Sequence, residues 1–451
     1  MSAAATDGLP RAQFRAAVGT IVIAVGLASL DTSIANTALP TIARDLAASP
    51  ASSIWVVNAY QIALVATLLP LGALGEIVGF RRVYVAGLAV FTVASLLCAL
   101  SWSLPTLTAA RILQGFGAAG IMSVNTALIR FIYPSNRLGR GVGFNALVVA
   151  VSTALGPSVA ALMLSVADWP LLFAVNVPVG IVAQVLAARA LPETPRAGRR
   201  FDWIGSLLSA TTFSAIILAV GEAAHQATPV QTFAVLGVAL LAGTLLVRQQ
   251  MGQTAPLLPI DLYRRPLFAL SSLTSMCSFS AQGLSFVSLP FLFQMGMGHS
   301  AVETGLLLTP WPVATGIMAP IAGPLSDRFP PAILGGIGLA ILCLGLVLMA
   351  TLPEGASNLA IMLRMLVCGA GFGFFQSPNL KAIMSAAPAS RSGGASGTIA
   401  TSRLLGQSVG AALVAFCFGI APGHGPELAL GLAACFAGVA SLVSFSRLLA
   451  R

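Results

Sequence analysis

Lysine is almost missing from this 451-residue chain: Lys381 is the only one. A G-x-x-x-x-G-K-[ST] phosphate loop cannot be built around it, because Asn379 and Leu380 precede it where such a loop needs glycine. Any uphill work must therefore draw on an ion gradient or a partner. Charge as a whole is scarce, at 8% of residues, where a soluble chain carries about one quarter. The three histidines (His225, His299, His424) fall in expected connections and read as solvated loop residues. The six cysteines (Cys98, Cys277, Cys343, Cys368, Cys417, Cys435) stand apart in apolar runs without C-x-x-C spacing. They read as small packing residues, not as metal ligands or disulfides. Neither a His/Asp metal cluster nor a nucleophile–base pair stands inside an apolar run, so an enzyme is not expected.

What the chain has in place of charge is length of apolar sequence. Hydrophobic residues make up 57% of it, and about 20 of them in a row cross a bilayer as a helix. Fourteen such runs are expected, near 16–38, 53–73, 83–102, 105–130, 141–163, 170–190, 204–222, 231–248, 267–293, 302–324, 332–351, 358–377, 395–418 and 427–446. The expected fold is an all-α polytopic membrane protein. The first run is too long for the apolar core of a secretory leader and is followed by more spans.

The basic residues alternate between connections. Arg11 and Arg15 precede span 1, Arg81 and Arg82 follow span 2, and Arg130, Arg137 and Arg140 follow span 4. The alternation continues at Arg196, Arg264, Arg328 and Arg447, whereas the other set of connections holds just Arg44, beside Asp45. This is the positive-inside pattern, and it puts both termini in the cytoplasm. The formal charge of +10 is thus topology and does not imply nucleic-acid binding. Trp55, Trp102 and Trp169 fall at expected outer span ends and Trp203 at an inner one, as an interfacial belt.

The chain also repeats. Ala110-Arg111-Ile112-Leu113 followed by Gly115, Gly117 and Gly120 echoes Leu363-Arg364-Met365-Leu366 followed by Gly369, Gly371 and Gly373. Gly72-Ala73-Leu74-Gly75-Glu76 echoes Gly323-Pro324-Leu325-Ser326-Asp327-Arg328. Both echoes are eight spans apart. The expected organisation is a six-helix half at 1–190, two inserted helices with linkers at 191–266, and a second six-helix half at 267–451. Duplicated halves with a site between them are the architecture of secondary transporters.

Three charges lie inside the spans. Asp31, Arg111 and Arg364 are each expected roughly 10 Å below the outer surface, counting 1.5 Å per helical residue, where they would share one layer. An intramembrane carboxylate costs at least about 2.5–3.5 kcal/mol of insertion free energy and is by default a functional residue. Two readings stay open: a fixed Asp31–Arg111 pair that sets packing, or a carboxylate that takes and releases a proton as access alternates. Lys381 and Arg403 stand near the inner end of the second half, where snorkelling explains them. Polar and aromatic residues within spans, Asn58, Gln61, Gln114, Asn145, Gln282, Phe286, Trp311, Phe375, Gln376 and Gln407, suit an amphiphilic cavity of few directional contacts.

The motifs at these positions resemble those of the major facilitator superfamily, and within it the fourteen-span drug:proton antiporter family. Leu30-Asp31-Thr32-Ser33-Ile34-Ala35-Asn36-Thr37-Ala38-Leu39-Pro40 resembles that family's span-1 signature. Gly72-Ala73-Leu74-Gly75-Glu76-Ile77-Val78-Gly79-Phe80-Arg81-Arg82 resembles the superfamily's loop between spans 2 and 3, with Glu76 where Asp is usual. Leu107 to Gly115 resembles the span-4 motif with its Arg111. Gly156-Pro157 resembles the antiporter motif of span 5, here followed by Ala160-Ala161 in place of paired glycine, and Phe173 to Gly180 the family's span 6.

The resemblance implies a proton-coupled exporter of amphiphilic organic compounds, lipophilic cations or neutral drugs, working as a monomer by alternating access. Asp31 and Arg111 would couple protons. Gly72, Glu76, Gly79, Arg81, Arg82, Gly156, Pro157, Asp327 and Arg328 would serve gating. No cofactor or metal is expected beyond the proton gradient, and the place is the bacterial inner membrane. A dedicated exporter of an endogenous metabolite or lipid-like compound is the alternative on the same fold. From another class, a channel would conduct without coupling.

Overall fold

The computed structural model describes residues 8–134, 137–198, 200–222, 229–251, 253, 260–353, 355–388, 392–421 and 423–449. His225 lies outside them. Fourteen helices among the described residues are long and apolar enough to cross a membrane. Spans 1 to 4 are Gln13–Asp45, Pro50–Val78, Phe80–Ala99 and Leu104–Ile132; spans 5 to 8 are Gly143–Leu164, Pro170–Ala190, Trp203–Val220 and Gln231–Met251. Spans 9 to 11 are Pro266–Gly296, Ala301–Arg328 and Pro331–Ala350, and spans 12 to 14 are Asn358–Ala386, Gly397–Ile420 and Gly425–Ser446. Each expected run has its helix, because an apolar chain in lipid must satisfy its own backbone hydrogen bonds. An even number of crossings brings both ends of the chain to one side, here called the terminal face. The other side is called the distal face.

Boundaries depart from expectation where hydropathy does not set them. Span 1 runs to Asp45 and contains Pro40, seven residues past the expected 38. Asp31 therefore lies 14 residues, about 21 Å along the helix, from the distal end of span 1. Trp102 and Trp203 are exposed at span ends, as a belt requires, but Trp169 is buried with its ring 6.2 Å from Phe173. It is a core residue and not an interfacial one.

The glycines explain how the repeat packs. Span 4 begins at the cap of Ser103 and span 12 at the cap of Ser357. A Cβ on Gly87 would stand 2.7 Å from the Gly120 Cα, and one on Gly338 would stand 2.7 Å from the Phe375 nitrogen. Gly117 abuts the Phe91 backbone of span 3, and Gly371 abuts the Leu342 backbone of span 11. Gly115 meets the Tyr60 carbonyl and Gly369 the Trp311 carbonyl. Small residues let membrane helices approach to backbone contact, and the same contacts recur in both copies. Their spacing also fixes the register. Ser103, Gly115 and Gly117 correspond to Ser357, Gly369 and Gly371, so the counterpart of Arg111 is Met365 and not Arg364. A slip of one residue turns a side chain by about 100°.

Spans 7 and 8 pack on each other, and span 7 also lies against spans 2 and 13. Asp202 joins the pair. Its carboxylate accepts from the Gly205 N–H at 2.9 Å and from the amides of Gln249, Gln250 and Gln253 at 2.9, 3.0 and 2.8 Å. Burial opposes its charge, but these donors outweigh burial and hold the carboxyl below its usual range. Phe233, Leu240 and Leu241 of span 8 are exposed, as on a helix facing lipid.

Toward the distal face the first six spans and the last six share one apolar core, in which Leu39 and Ile42 join Phe291, Phe293 and Leu307. Hydrogen bonds cross the seam here. Thr41 Oγ1 donates to Gln294 Oε1 and Gln294 Nε2 to the Thr37 carbonyl, both at 3.2 Å, and the hydroxyls of Ser158 and Thr309 are 2.7 Å apart. Gly305 fits against the Pro157 carbonyl with no room for a side chain.

Candidate functional site

Asp31 and Arg111, both essentially inaccessible to solvent, meet in the interior of the first six spans. Arg111 Nη1 donates to Asp31 Oδ2 at 2.6 Å and to Gln114 Oε1 at 2.6 Å, and its Nε donates to the Val56 carbonyl at 3.0 Å. Asp31 Oδ1 accepts from Gln114 Nε2 at 2.9 Å and from Asn176 Nδ2 at 2.6 Å. Gln114 Nε2 also donates to Ser95 Oγ at 2.9 Å. The guanidinium carbon stands 4.2 Å from the Tyr60 ring centre and 5.6 Å from that of Phe173, within cation–π reach. Spans 1, 2, 3, 4 and 6 thus all contribute to one ion pair. Among the described residues the Arg111 Nη2 finds no hydrogen-bond acceptor.

Local sequence explains the placement. Arg111 and Gln114 are three residues apart on span 4 and so lie on one face. Gly115 beside them lets span 2 approach closely enough for the Val56 carbonyl and the Tyr60 ring to reach the guanidinium. Span 6 is two helical pieces, Pro170–Ala174 and Asn176–Ala190, and Asn176 opens the second. Asn176 was not singled out from the sequence. The signal for it is a lone carboxamide in an otherwise apolar stretch.

Arg364, six residues into span 12 where Arg111 is seven into span 4, stands at a similar depth but does not meet the Asp31 pair. Among the described residues its Nη1 has no hydrogen-bond partner, and Met365, one residue on, occupies the position equivalent to Arg111, so the three charges do not come together.

A cavity lies between the first six and last six spans, with about 70 Å³ of accessible space, short of the roughly 300–1,000 Å³ of small-molecule sites, so that cargo must widen it. It is lined by Ser29, Thr32, Ser33, Asn36, Tyr60 and Gln61 on one side and by Phe286, Val287, Arg403, Leu404, Gln407 and Ser408 on the other. Thr32 and Tyr60 separate it from the Asp31–Arg111 pair, so the acid stands just behind the wall.

Of the residues expected to line a cavity, Gln61, Phe286 and Gln407 do. Gln282 accepts from Gln407 at 2.9 Å, and Trp311 backs Phe286 with ring centres 5.2 Å apart. Gln114 belongs to the Asp31 shell. Asn58 and Phe375 are buried elsewhere, Asn145 accepts from Asn125 at 2.8 Å, and Gln376 is not among the lining residues. For these the expectation is corrected: polarity or aromaticity within a span does not say which way the side chain turns.

Arg403 is corrected too. It lines the cavity and does not reach for the surface. Arg403 and Gln407 are four residues apart, and that spacing was the signal for a shared polar face. Lys381, in contrast, pairs with Asp327 and donates to the Ser326 carbonyl at 2.7 Å.

The gating positions divide by location. Gly156 packs against Ser33, whose hydroxyl donates to the Thr153 carbonyl at 2.9 Å, and Pro157 abuts Gly305 at the distal seam. Gly72 approaches Ser123 of span 4. Gly79, with φ +103°, makes the turn after span 2, a backbone conformation that side chains avoid. At the terminal face Arg81 bonds the Ala188 carbonyl and lies 3.8 Å from Glu193, and the Glu76 carbonyl accepts from the Ala197 N–H at 2.7 Å. Arg82 and Arg328 are exposed. At the distal face His299 Nδ1 stands 3.7 Å from Glu303, in place of the free loop histidine expected there.

Comparison with known proteins places this geometry in a family. The chain is 52% identical over 98% of its length, and 97% of the relative's, to the uncharacterized transporter YebQ of Escherichia coli. It is 31% identical to the riboflavin transporter RibZ of Clostridioides difficile over 88% of this chain and 87% of that one. It is 32% identical to the multidrug efflux pump LfrA of Mycolicibacterium smegmatis over 92% and 83%. Among solved structures, an inward-facing bacterial homologue of the lysosomal transporter Spinster aligns with a TM-score of 0.70 at 14% identity, covering 98% of this chain and 99% of that one, and so shares its fold. Residues 21–411 match the model of the Major Facilitator Superfamily. The chain belongs to that superfamily, and its fourteen spans fit the fourteen-span drug:proton antiporter family within it.

Proposed function

We propose that this transporter is a proton-coupled exporter of amphiphilic organic compounds, working by alternating access in a bacterial inner membrane. The observation that carries the reading is the buried Asp31, held by Arg111, Gln114 and Asn176 just behind the wall of a cavity between the two groups of six spans. A charged carboxylate matches this shell. A proton that Asp31 takes from the outer side leaves the Arg111 guanidinium buried without its counter-ion, and cargo leaves as this shifts the conformational balance back toward the inward-facing state. One pK unit of difference between the two states is worth about 1.4 kcal/mol of coupling. The loop arginines support a cytoplasmic terminal face. The contacts across the distal seam are those that would part when that face opens. Glu76, Arg81 and Arg82 would meet Asp327 and Arg328 when the terminal face closes in turn. The domain reading is the same one: 1–190 and 267–451 rock against each other, with 191–266 carrying the inserted pair.

Asp31→Asn is the direct variant. In inverted vesicles under an imposed proton gradient, uptake of a fluorescent substrate should vanish, while exchange of labelled for unlabelled substrate without a gradient persists. Equal gradient-driven uptake by the wild type and the variant would leave Asp31 structural. The similarity to RibZ, a riboflavin transporter, favours as second reading a dedicated exporter. Gln61→Ala then separates the two, because a promiscuous cavity changes its substrate profile whereas a dedicated one loses its single substrate.

A further inference from the structure

We infer that the cargo is an organic anion, and that Arg403 is the residue that recognises it. The inference rests on the transport reading above and names its substrate class. The chain has thirteen acids, and twelve of them fall in connections or within three residues of a span end. Asp31 alone stands in a span interior, and its oxygens are taken by Arg111, Gln114 and Asn176. Arg403 stands six residues into span 13, about 9 Å from its start, and lines the cavity. Among the described residues it has no hydrogen-bond acceptor and no acid partner. A lone cation at that depth is costly unless something completes it, and a carboxylate or sulfonate does so through charge-assisted, forked hydrogen bonds.

The opposite wall supplies the second observation. Ser29, Asn36 and Gln61 border the cavity, and among the described residues Ser29 Oγ, Asn36 Oδ1 and Gln61 Oε1 are buried without a hydrogen-bond partner. Buried polar atoms are normally paired, and a side-chain rotation would offer these three to a cargo. Phe286 adds an apolar wall. The arrangement fits a molecule with an anionic group at Arg403 and an aromatic body bearing hydrogen-bonding groups toward span 1. A lipophilic cation, the class expected from the sequence, would meet a positive charge and no free acid.

The test uses three fluorescent isosteres on detergent-purified full-length protein: anthracene-9-carboxylate, its methyl ester, and 9-(aminomethyl)anthracene. Binding is read by fluorescence anisotropy at pH 7 without any gradient. The carboxylate should bind about tenfold more tightly than the ester or the amine, the scale of one charge-assisted contact. Arg403→Gln should abolish that preference, and Arg403→Lys should keep part of it. The wild-type comparison stands even if a variant fails to fold. A wild type without carboxylate preference, whether the probes bind equally or not at all, overturns the inference. So does a preference that survives in Arg403→Gln. Because no gradient is used, carboxylate preference with no proton-driven uptake would sink the coupling reading and leave the cargo class standing.

Discussion

At the scale of single residues, the Asp31–Arg111 pair is a structural element and, in the function proposed, a coupling one, and substitutions separate the two roles. Arg111→Leu leaves Asp31 buried without a cation, a loss of about 3–5 kcal/mol, and membrane abundance should fall sharply on immunoblots. Adding Asp31→Asn removes the orphan charge, so the double variant should recover abundance while remaining inactive in gradient-driven uptake. Recovery of uptake as well would show that neither residue couples protons. The pair was legible in the sequence because charge is so rare there that any acid in an apolar run stands out. Asn176 was not, since an asparagine near a span end has many ordinary explanations. Arg403 was misread because its distance along the chain from the span end was weighed and its four-residue spacing to Gln407 was not. Arg364 was misplaced by a one-residue slip, which the glycines on either copy correct.

At the scale of helices, glycine sets how closely spans approach. Gly117 abuts the Phe91 backbone, whereas a Cβ at Gly237 meets nothing within 4 Å. Gly117→Val should therefore abolish a monodisperse peak in fluorescence-detected gel filtration, and Gly237→Ala should leave it unchanged; the reverse order would refute the packing described. The inserted pair depends on Asp202. Asp202→Ala removes charged hydrogen bonds to spans 7 and 8, each worth about 1.5–3 kcal/mol where buried and less at this partly exposed site, and should lower the thermal midpoint in detergent. The folded carboxyl titrates below its unfolded value, so its contribution is present at neutral pH and lost as acid protonates it. Existence and order of all fourteen helices were legible, since twenty apolar residues admit little else. The end of span 1 was not, because Pro40 and a polar stretch look like a stop, although a helix can run through proline when a neighbouring packed element supports it.

At the scale of the whole molecule, the distal seam is a set of contacts that the proposed alternating access must break. The Ser158 and Thr309 hydroxyls face each other across it. A Ser158→Cys, Thr309→Cys pair, oxidised, should stop uptake and leave probe binding intact, with uptake returning on reduction. Uptake that continues after crosslinking would mean that the halves do not part there. The glycine contacts that recur in spans 4 and 12 were foreshadowed by the sequence echo, but which face closes was not. That depends on residues such as Gln294 and Gly305, which carry no charge or periodicity to mark them. The most direct measurement of proton-coupled export is proton movement itself. Purified protein is reconstituted into liposomes loaded with a pH-sensitive dye, and an outward gradient of a transported substrate is imposed with the membrane potential clamped. Coupled exchange predicts that the lumen acidifies as substrate leaves, in the wild type and not in Asp31→Asn. Substrate efflux with no change in luminal pH would contradict it, and would make this protein a facilitator.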